Sequence, residues 1–215
     1  MQDFLKVTGM VIGAFYQNDY DKRIILLTRE QGKITAFVKG AKRPQSRLAA
    51  STEPFTFGEF DLYVGKNSYT VQDVRPLNYF EFLRQDLNAV FYGTFFLELA
   101  DYYARENQDE SLLLLLTYRA LQGLKSEKLS NDFVKVVFEI KTYVIEGEFI
   151  PIEMLGEYAD SVKQVINRII DSNIVKLFDF QVSDEMFSII KEISEKERKR
   201  LVDVKLKSLD MLDIV

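Results

Sequence analysis

The chain has 215 residues, 47% hydrophobic and 28% charged, with a formal net charge of −5 and neither cysteine nor histidine. Such a composition suits one or two globular domains and excludes a disulfide framework, a zinc ribbon, a thiol nucleophile, a Ser-His-Asp triad and an imidazole base. Any chemistry falls to Asp, Glu, Lys, Ser or Tyr, and the lack of cysteine fits a reducing cytoplasm.

The first eighty residues read as strands. Val7, Val11 and Phe15 alternate with Thr8, Met10, Ile12 and Tyr16, with Gly9 and Gly13 interspersed, which predicts one long, strongly bent strand. Arg23 to Thr28 is a second run, and Gln31-Gly32 turns the chain into a third from Lys33 to Lys39. Phe55 to Val64 and Tyr69 to Val74 follow, separated by the hairpin loop Gly65-Lys66-Asn67-Ser68. Five short strands with a longer link, Gly40 to Pro54, between the third and fourth describe an oligonucleotide/oligosaccharide-binding (OB) barrel, although a sandwich edge or an SH3-like barrel gives a similar string.

From Asn78 the period changes to that of helices. Phe82, Leu83, Leu87, Val90 and Phe91 begin the first stripe, and Asp109 caps a helix carrying the five-leucine run up to Gly123. Phe133 to Ile145 forms a third helix, stopped by Gly147 and Pro151, and Val162 to Ile170 a fourth. Ser183 with Asp184 and Glu185 starts a fifth. The fold class expected is therefore α+β: a barrel domain over residues 1–77 and a helical bundle over 78–215, joined at Arg75-Pro76-Leu77 because proline sits poorly inside either element. The apolar stretch Gly9 to Tyr16 is short for a signal core, and the runs Ala89 to Leu97 and Leu112 to Leu116 are far below the roughly 20 residues of a spanning helix, so a soluble protein with no membrane partner is expected.

Charge is unevenly distributed. Residues 1–80 hold 11 Lys+Arg against 8 Asp+Glu, leaving 17 against 25 for the remainder. Between Gln31 and Thr52 there is no acid, and Lys33, Lys39, Lys42, Arg43 and Arg47 supply five bases. Gly40 permits close backbone approach to a ligand, Pro44 limits the loop, and Ser46 can donate to a phosphate oxygen. Arg43 and Arg47 share a face if the segment turns helical, and both offer forked donors suited to phosphate. Phe37 lies on the strand face of Thr35 and Lys39, where an aromatic beside cations can stack a base. The same residues also suit a solvated loop and a core phenylalanine.

The segment Gly32-Lys33 … Val38-Lys39-Gly40-Ala41-Lys42-Arg43-Pro44-Gln45-Ser46-Arg47-Leu48-Ala49-Ala50, followed by Glu53-Pro54-Phe55, resembles the signature of the bacterial RecO family. The likeness extends to Val7-Thr8-Gly9, to Leu26-Leu27-Thr28-Arg29-Glu30 and to Asp86-Leu87, and fades after about residue 90. It implies an N-terminal OB-fold, a C-terminal helical domain and a non-enzymatic role in DNA repair and recombination, without a cofactor. Proteins of that family bind single- and double-stranded DNA, promote annealing, and work with RecR to load RecA onto strands coated by single-stranded-DNA-binding protein. The implied partners are these, and the implied location is the cytoplasm, at the nucleoid. The family's basic DNA-contacting positions fall on Lys39, Lys42, Arg43 and Arg47, with Ser46, Lys33, Arg29 and Phe37 as further candidates. Many members carry a four-cysteine zinc module after a Gly-Tyr-x-Pro stretch. Its counterpart here, Gly147-Glu148-Phe149-Ile150-Pro151, is followed by no cysteine, so no zinc site is expected.

Three other clusters suit solvated helix surfaces. They are the bases Lys196, Arg198, Lys199, Arg200, Lys205 and Lys207, and the acids Asp101, Glu106, Asp109 and Glu110 and Glu146, Glu148, Glu153 and Glu157. A secondary contact for the bases, and a carboxylate-held Mg²⁺ of a nuclease for the acids, are the functional alternatives. The acidic balance also suits a protein–protein adaptor with little nucleic-acid affinity.

Overall fold

Five strands close into a barrel in the order β1-β2-β3-β5-β4: β1 (Asp3–Tyr16), β2 (Lys22–Thr28), β3 (Gly32–Val38), β4 (Phe57–Val64) and β5 (Tyr69–Asn78). They are seen in a computed structural model that describes residues 3–43, 45–66, 68–156 and 158–212; Pro44, Asn67 and Glu157 lie outside the described residues. All pairings are antiparallel except β3 with β5, a short parallel contact at Ala36↔Tyr69 and Phe37↔Thr70 that completes the closure. With the short helix α1 (Leu48–Ser51) between β3 and β4, this is the OB-fold.

The long first strand serves two neighbours. Asp3 to Met10 pair with β4, and Gly9 to Tyr16 pair with β2. Between Val11 and Gly13 the register shifts by one residue, and the bulge inverts the side-chain alternation beyond it. Val7 and Val11 therefore point into the barrel core with Ile24, Leu26, Ile34 and Phe60. Phe15, which simple parity groups with Val7 and Val11, instead faces outward and is 47% exposed. A Cβ on Gly13 would fall 3.2 Å from the Phe15 ring, so this glycine leaves the ring room to lie along the sheet.

The joint expected at Arg75-Pro76-Leu77 is not one. Pro76 lies inside β5, opposite Gly58, next to a second register shift. Since β3 pairs with β5 only at Tyr69 and Thr70, β5 has one neighbour at this point, and the adjoining register shift is where a strand accommodates a proline. Nor do the compact units part at residue 77. One comprises Met1–Gln85 with Leu97–Leu114, the other Asp86–Phe96 with Leu115–Val215, so the boundary falls inside helices α2 (Leu87–Tyr103) and α3 (Ser111–Gly123).

In the first unit the β2–β3 turn is fixed by the chain that links α2 to α3. Gly32, at φ +65°, bridges Glu106, and a side chain there would run into the Arg105 carbonyl oxygen. The Lys33 N–H donates to that same oxygen at 2.8 Å, and the Asn107 N–H to the Gln31 carbonyl at 3.0 Å.

The second unit is built round α4 (Asn131–Ile145), whose residues from Phe133 to Tyr143 are all buried. Ser130 caps its start by accepting from the Phe133 N–H. Its end is a Schellman turn: Glu148 N–H donates to Tyr143 O, and Gly147, at φ +73°, donates to Val144 O. Helices α5 (Asp160–Asp171) and α6 (Asp184–Leu201) pack on it, and α7 (Lys207–Leu212) follows. A helix that is buried all round must satisfy its own polar residues. Glu139, wholly buried, receives Lys135 at 2.9 Å, the Ser194 hydroxyl at 3.1 Å and Arg198 at 2.6 Å. Lys141 donates to the carbonyls of Ile169, Ile170 and Ser172, closing the C-terminal end of α5. No helix among the described residues is long and apolar enough to cross a membrane.

Candidate nucleic-acid interface

The basic segment after β3 folds back on the β1–β2 turn. Gly40 takes the left-handed conformation that the tight turn requires, at φ +64°, and its N–H donates to the Asp21 carboxylate at 2.8 Å. Lys42 N–H donates to Tyr20 O, while Arg43 N–H and Ser46 N–H close successive turns onto Gly40 O and Arg43 O. Arg43 and Ser46 thus lie in turns rather than in a helix, and α1 begins only at Leu48 with Arg47 as its cap residue. Buried Lys22 holds the far end of the segment, donating to Ala49 O and pairing with Glu53.

These ties bring five cations to one end of the barrel. Lys39, Lys42, Arg43 and Arg47 are exposed, and none is in an ion pair with a described residue. Arg23, on β2, joins them from the adjoining sheet, its partners in register being Phe15 on β1 and Phe37 on β3. Aromatic rings interleave with the charges: the Lys42 ammonium lies 3.9 Å from the Tyr16 ring centroid, Arg23 lies 5.1 Å from Phe15, and Arg43 lies 5.8 Å from Tyr20. Asp21, hydrogen-bonded into the turn beside exposed Asp19, is held below its ordinary pKa. The Gly40 N–H is the main cause, then Asn18, with the fields of Lys39 and Arg43 adding to it. It stays ionised and keeps the turn closed.

Of the eight candidate residues, six occupy or border this end: Lys39, Lys42, Arg43, Ser46, Arg47 and Phe37. The other two do not. Lys33 and Arg29 sit at the opposite end of β3, by the β2–β3 turn. The Lys33 ammonium donates to Asp101 O at 2.7 Å and pairs with the Asp101 carboxylate at 3.2 Å. Arg29 lies by Ser111, whose hydroxyl reaches the Arg29 carbonyl oxygen, and it lowers the pKa of Asp109 after the stronger effect of Ser111. Phe37 is half-buried on the outer face, while Ala36 and Val38 fill the core. Sequence reasoning missed Arg23, Phe15, Tyr16 and Tyr20 at this end. The signal available was aromatics at the end of a strand and in a polar turn.

The other clusters are absorbed by local structure. In the basic run of α6 and beyond, Arg198 is committed to Glu139, Arg200 to Glu197, Lys196 to Glu192 and Lys205 to Asp210. Among the acids, Asp101 pairs with Lys33, and Glu110 accepts from the Arg105 N–H. Among the described residues no group of three or more acids could hold a metal ion.

Two family models match the chain: "Recombination protein O N terminal" over residues 1–80 and "Recombination protein O C terminal" over residues 84–147. The chain belongs to the RecO family. Its relatives include the "DNA repair protein RecO" of Acetivibrio thermocellus, 25% identical over 98% of this chain and 96% of that protein. The protein of the same name from Alkaliphilus metalliredigens is 32% identical over 66% of this chain, and that from Symbiobacterium thermophilum 40% identical over 54%. In these last two the matched stretch spans only 58% and 47% of the relative. The N-terminal family match covers the whole barrel with its basic end, so the RecO relationship includes the surface described above.

Proposed function

We propose that this protein is a non-enzymatic DNA-binding recombination mediator, whose barrel grips the phosphodiester backbone through Lys39, Lys42, Arg43 and Arg47, with Arg23 beside them. The observation that carries the reading is the set of exposed cations on one end of an OB barrel, free of ion pairs with described residues in a chain of net charge −5. In an acidic protein an unneutralised basic end is matched to a polyanion. Its action is positional: neutralising phosphate lowers strand–strand repulsion and favours pairing, with no bond made or broken. The proposal extends to annealing of complementary strands and to cooperation with RecR and single-stranded-DNA-binding protein in loading RecA, and kinship with the family supports this extension. The names of its relatives supply the setting of DNA repair.

Lys33 is left out of the grip because its ammonium is taken up by Asp101, and Arg29 because it lies at the opposite end, by the β2–β3 turn. The test is charge reversal. Arg43→Glu with Arg47→Glu is expected to abolish retention of labelled oligonucleotides, whereas Arg29→Glu, at the opposite end, leaves most of it. An adaptor without nucleic-acid affinity would show no retention by the unaltered protein and the same protein partners bound by the reversed form.

A further inference from the structure

The link from β3 to β4 is the longest connection in the barrel, and its regular structure is the four-residue helix α1. A segment of that kind is ordered on binding at a cost in affinity, unless the fold orders it first. Here two consecutive residues at the start of β2 hold it from both ends. The Asp21 carboxylate accepts from the Gly40 N–H at 2.8 Å, at the head of the segment, and Asn18 steadies that carboxylate by donating to its other oxygen at 3.0 Å. The Asn18 side-chain oxygen also accepts from the Tyr20 and Asp21 N–H groups, which fixes the turn that carries Asp21. Lys22, 3% exposed, reaches the tail of the segment, donating to the Ala49 carbonyl at 3.2 Å and pairing with Glu53. Between the two holds lie Lys42, Arg43 and Arg47, and Ala41 is anchored in the barrel core.

Charge alone gives these residues no place beside a polyanion. Asp21 lies in the field of Lys39 and Arg43 and subtracts from their attraction for phosphate. Glu53 is half-exposed, and Lys22 is too buried to meet a phosphate. A carboxylate that opposes the ligand is accounted for where its hydrogen bonds set the geometry of the groups that attract it. We propose that Asp21, and Lys22 with Glu53, are positioning residues: they lock the segment from Gly40 to Glu53 in its binding form before DNA arrives, so that the two acids raise affinity for a polyanion although their charge opposes it. The inference rests on the DNA-binding reading above and adds to it the residues that preset the surface.

The full-length protein and a labelled oligothymidine of fixed length test this, because charge and positioning predict opposite signs. By charge alone, Asp21→Ala and Glu53→Ala each remove one negative charge and bind more tightly. As losses of positioning they bind more weakly, on the order of tenfold for Asp21→Ala. The salt dependence of Asp21→Ala should also flatten, since fewer cations engage phosphate together. Asp21→Asn keeps an acceptor for the Gly40 N–H and should bind at least as tightly as the unaltered protein. Amide exchange reads the lock itself. In the DNA-free protein Gly40 should be protected, and adding the oligonucleotide should leave that protection unchanged. In Asp21→Ala the Gly40 amide should exchange faster, while amides in the middle of β2 keep their protection. Binding by Asp21→Ala as tight as that of the unaltered protein, or tighter, would overturn the proposal and leave the DNA-binding reading standing. So would Asp21→Asn binding as weakly as Asp21→Ala. A Gly40 amide left unprotected until oligonucleotide is added would overturn it too, and that result needs no variant to fold. If the unaltered protein retains no oligonucleotide, the DNA-binding reading falls and the positioning role with it.

Discussion

Glu139 shows what a single buried residue holds in the helical unit. Its carboxylate is wholly buried between Lys135, Arg198 and the Ser194 hydroxyl, so it joins two turns of α4 to α6. Truncation by Glu139→Ala would strand two cations, and the expected cost is about 3–5 kcal/mol in a urea melt. The reciprocal change Ser194→Ala removes one neutral donor and should cost about 1 kcal/mol. Asp132 gives the acid limb of stability. Burial raises its carboxyl pKa, but hydrogen bonds from Lys191 and Tyr92, with the charges of Lys191 and Lys135, outweigh burial and hold it below the ordinary value. A carboxylate depressed in the folded state stabilises above its unfolded pKa, about 3.9, and that contribution disappears as pH falls through the folded value. Unfolding monitored below about pH 4 should therefore show a shallower loss of stability in Asp132→Asn than in the unaltered protein. Neither network was legible in the sequence: Glu139 and Arg198 are 59 positions apart, and no periodicity announces a charge on the buried side.

At the scale of elements, the sequence announced most of the strands and helices and missed what joins them. Glycines marked the bent first strand, Ser183 and Asp109 marked helix starts, and Gly147 marked the end of α4. The inversion of Phe15 could not be read, because a bulge shifts parity without altering composition. Pro76 misled in the other direction. Proline is tolerated at a strand edge or beside a bulge, and Pro76 sits next to a register shift in a part of β5 that β3 does not pair. Lys33 counted as a phosphate ligand because it shares an acid-free run with Lys39. In the structure its ammonium pairs with Asp101, 68 residues later. Gly32 tests the join between the barrel and the chain after α2. Gly32→Ala forces a side chain into the left-handed region and against Arg105, so a loss of about 1–3 kcal/mol from strain alone is expected. Amide exchange should quicken at Lys33 and Asn107, whose N–H groups bond across that join.

For the whole molecule, the central feature is a local sign of charge opposed to the net one. The chain carries −5 overall, yet the stretch from Gln31 to Thr52 contains five bases and no acid, and four of those bases project at one barrel end. In the helical unit Lys135, Lys191 and Arg198, none of them fully exposed, each face a carboxylate. The gathering at one barrel end of cations unpaired among the described residues, rather than the number of bases, supports a binding surface there. It was half legible in the sequence, which located the acid-free run but could not show which cations were already paired. The most direct test is the salt dependence of binding to a single-stranded oligonucleotide. Four phosphate contacts predict a slope of log affinity against log salt near −3, or on the order of fiftyfold weaker binding between 50 and 200 mM salt. The Arg43→Glu, Arg47→Glu protein, if it retains any affinity, should show a markedly flatter line. A slope near zero in the unaltered protein would contradict the account.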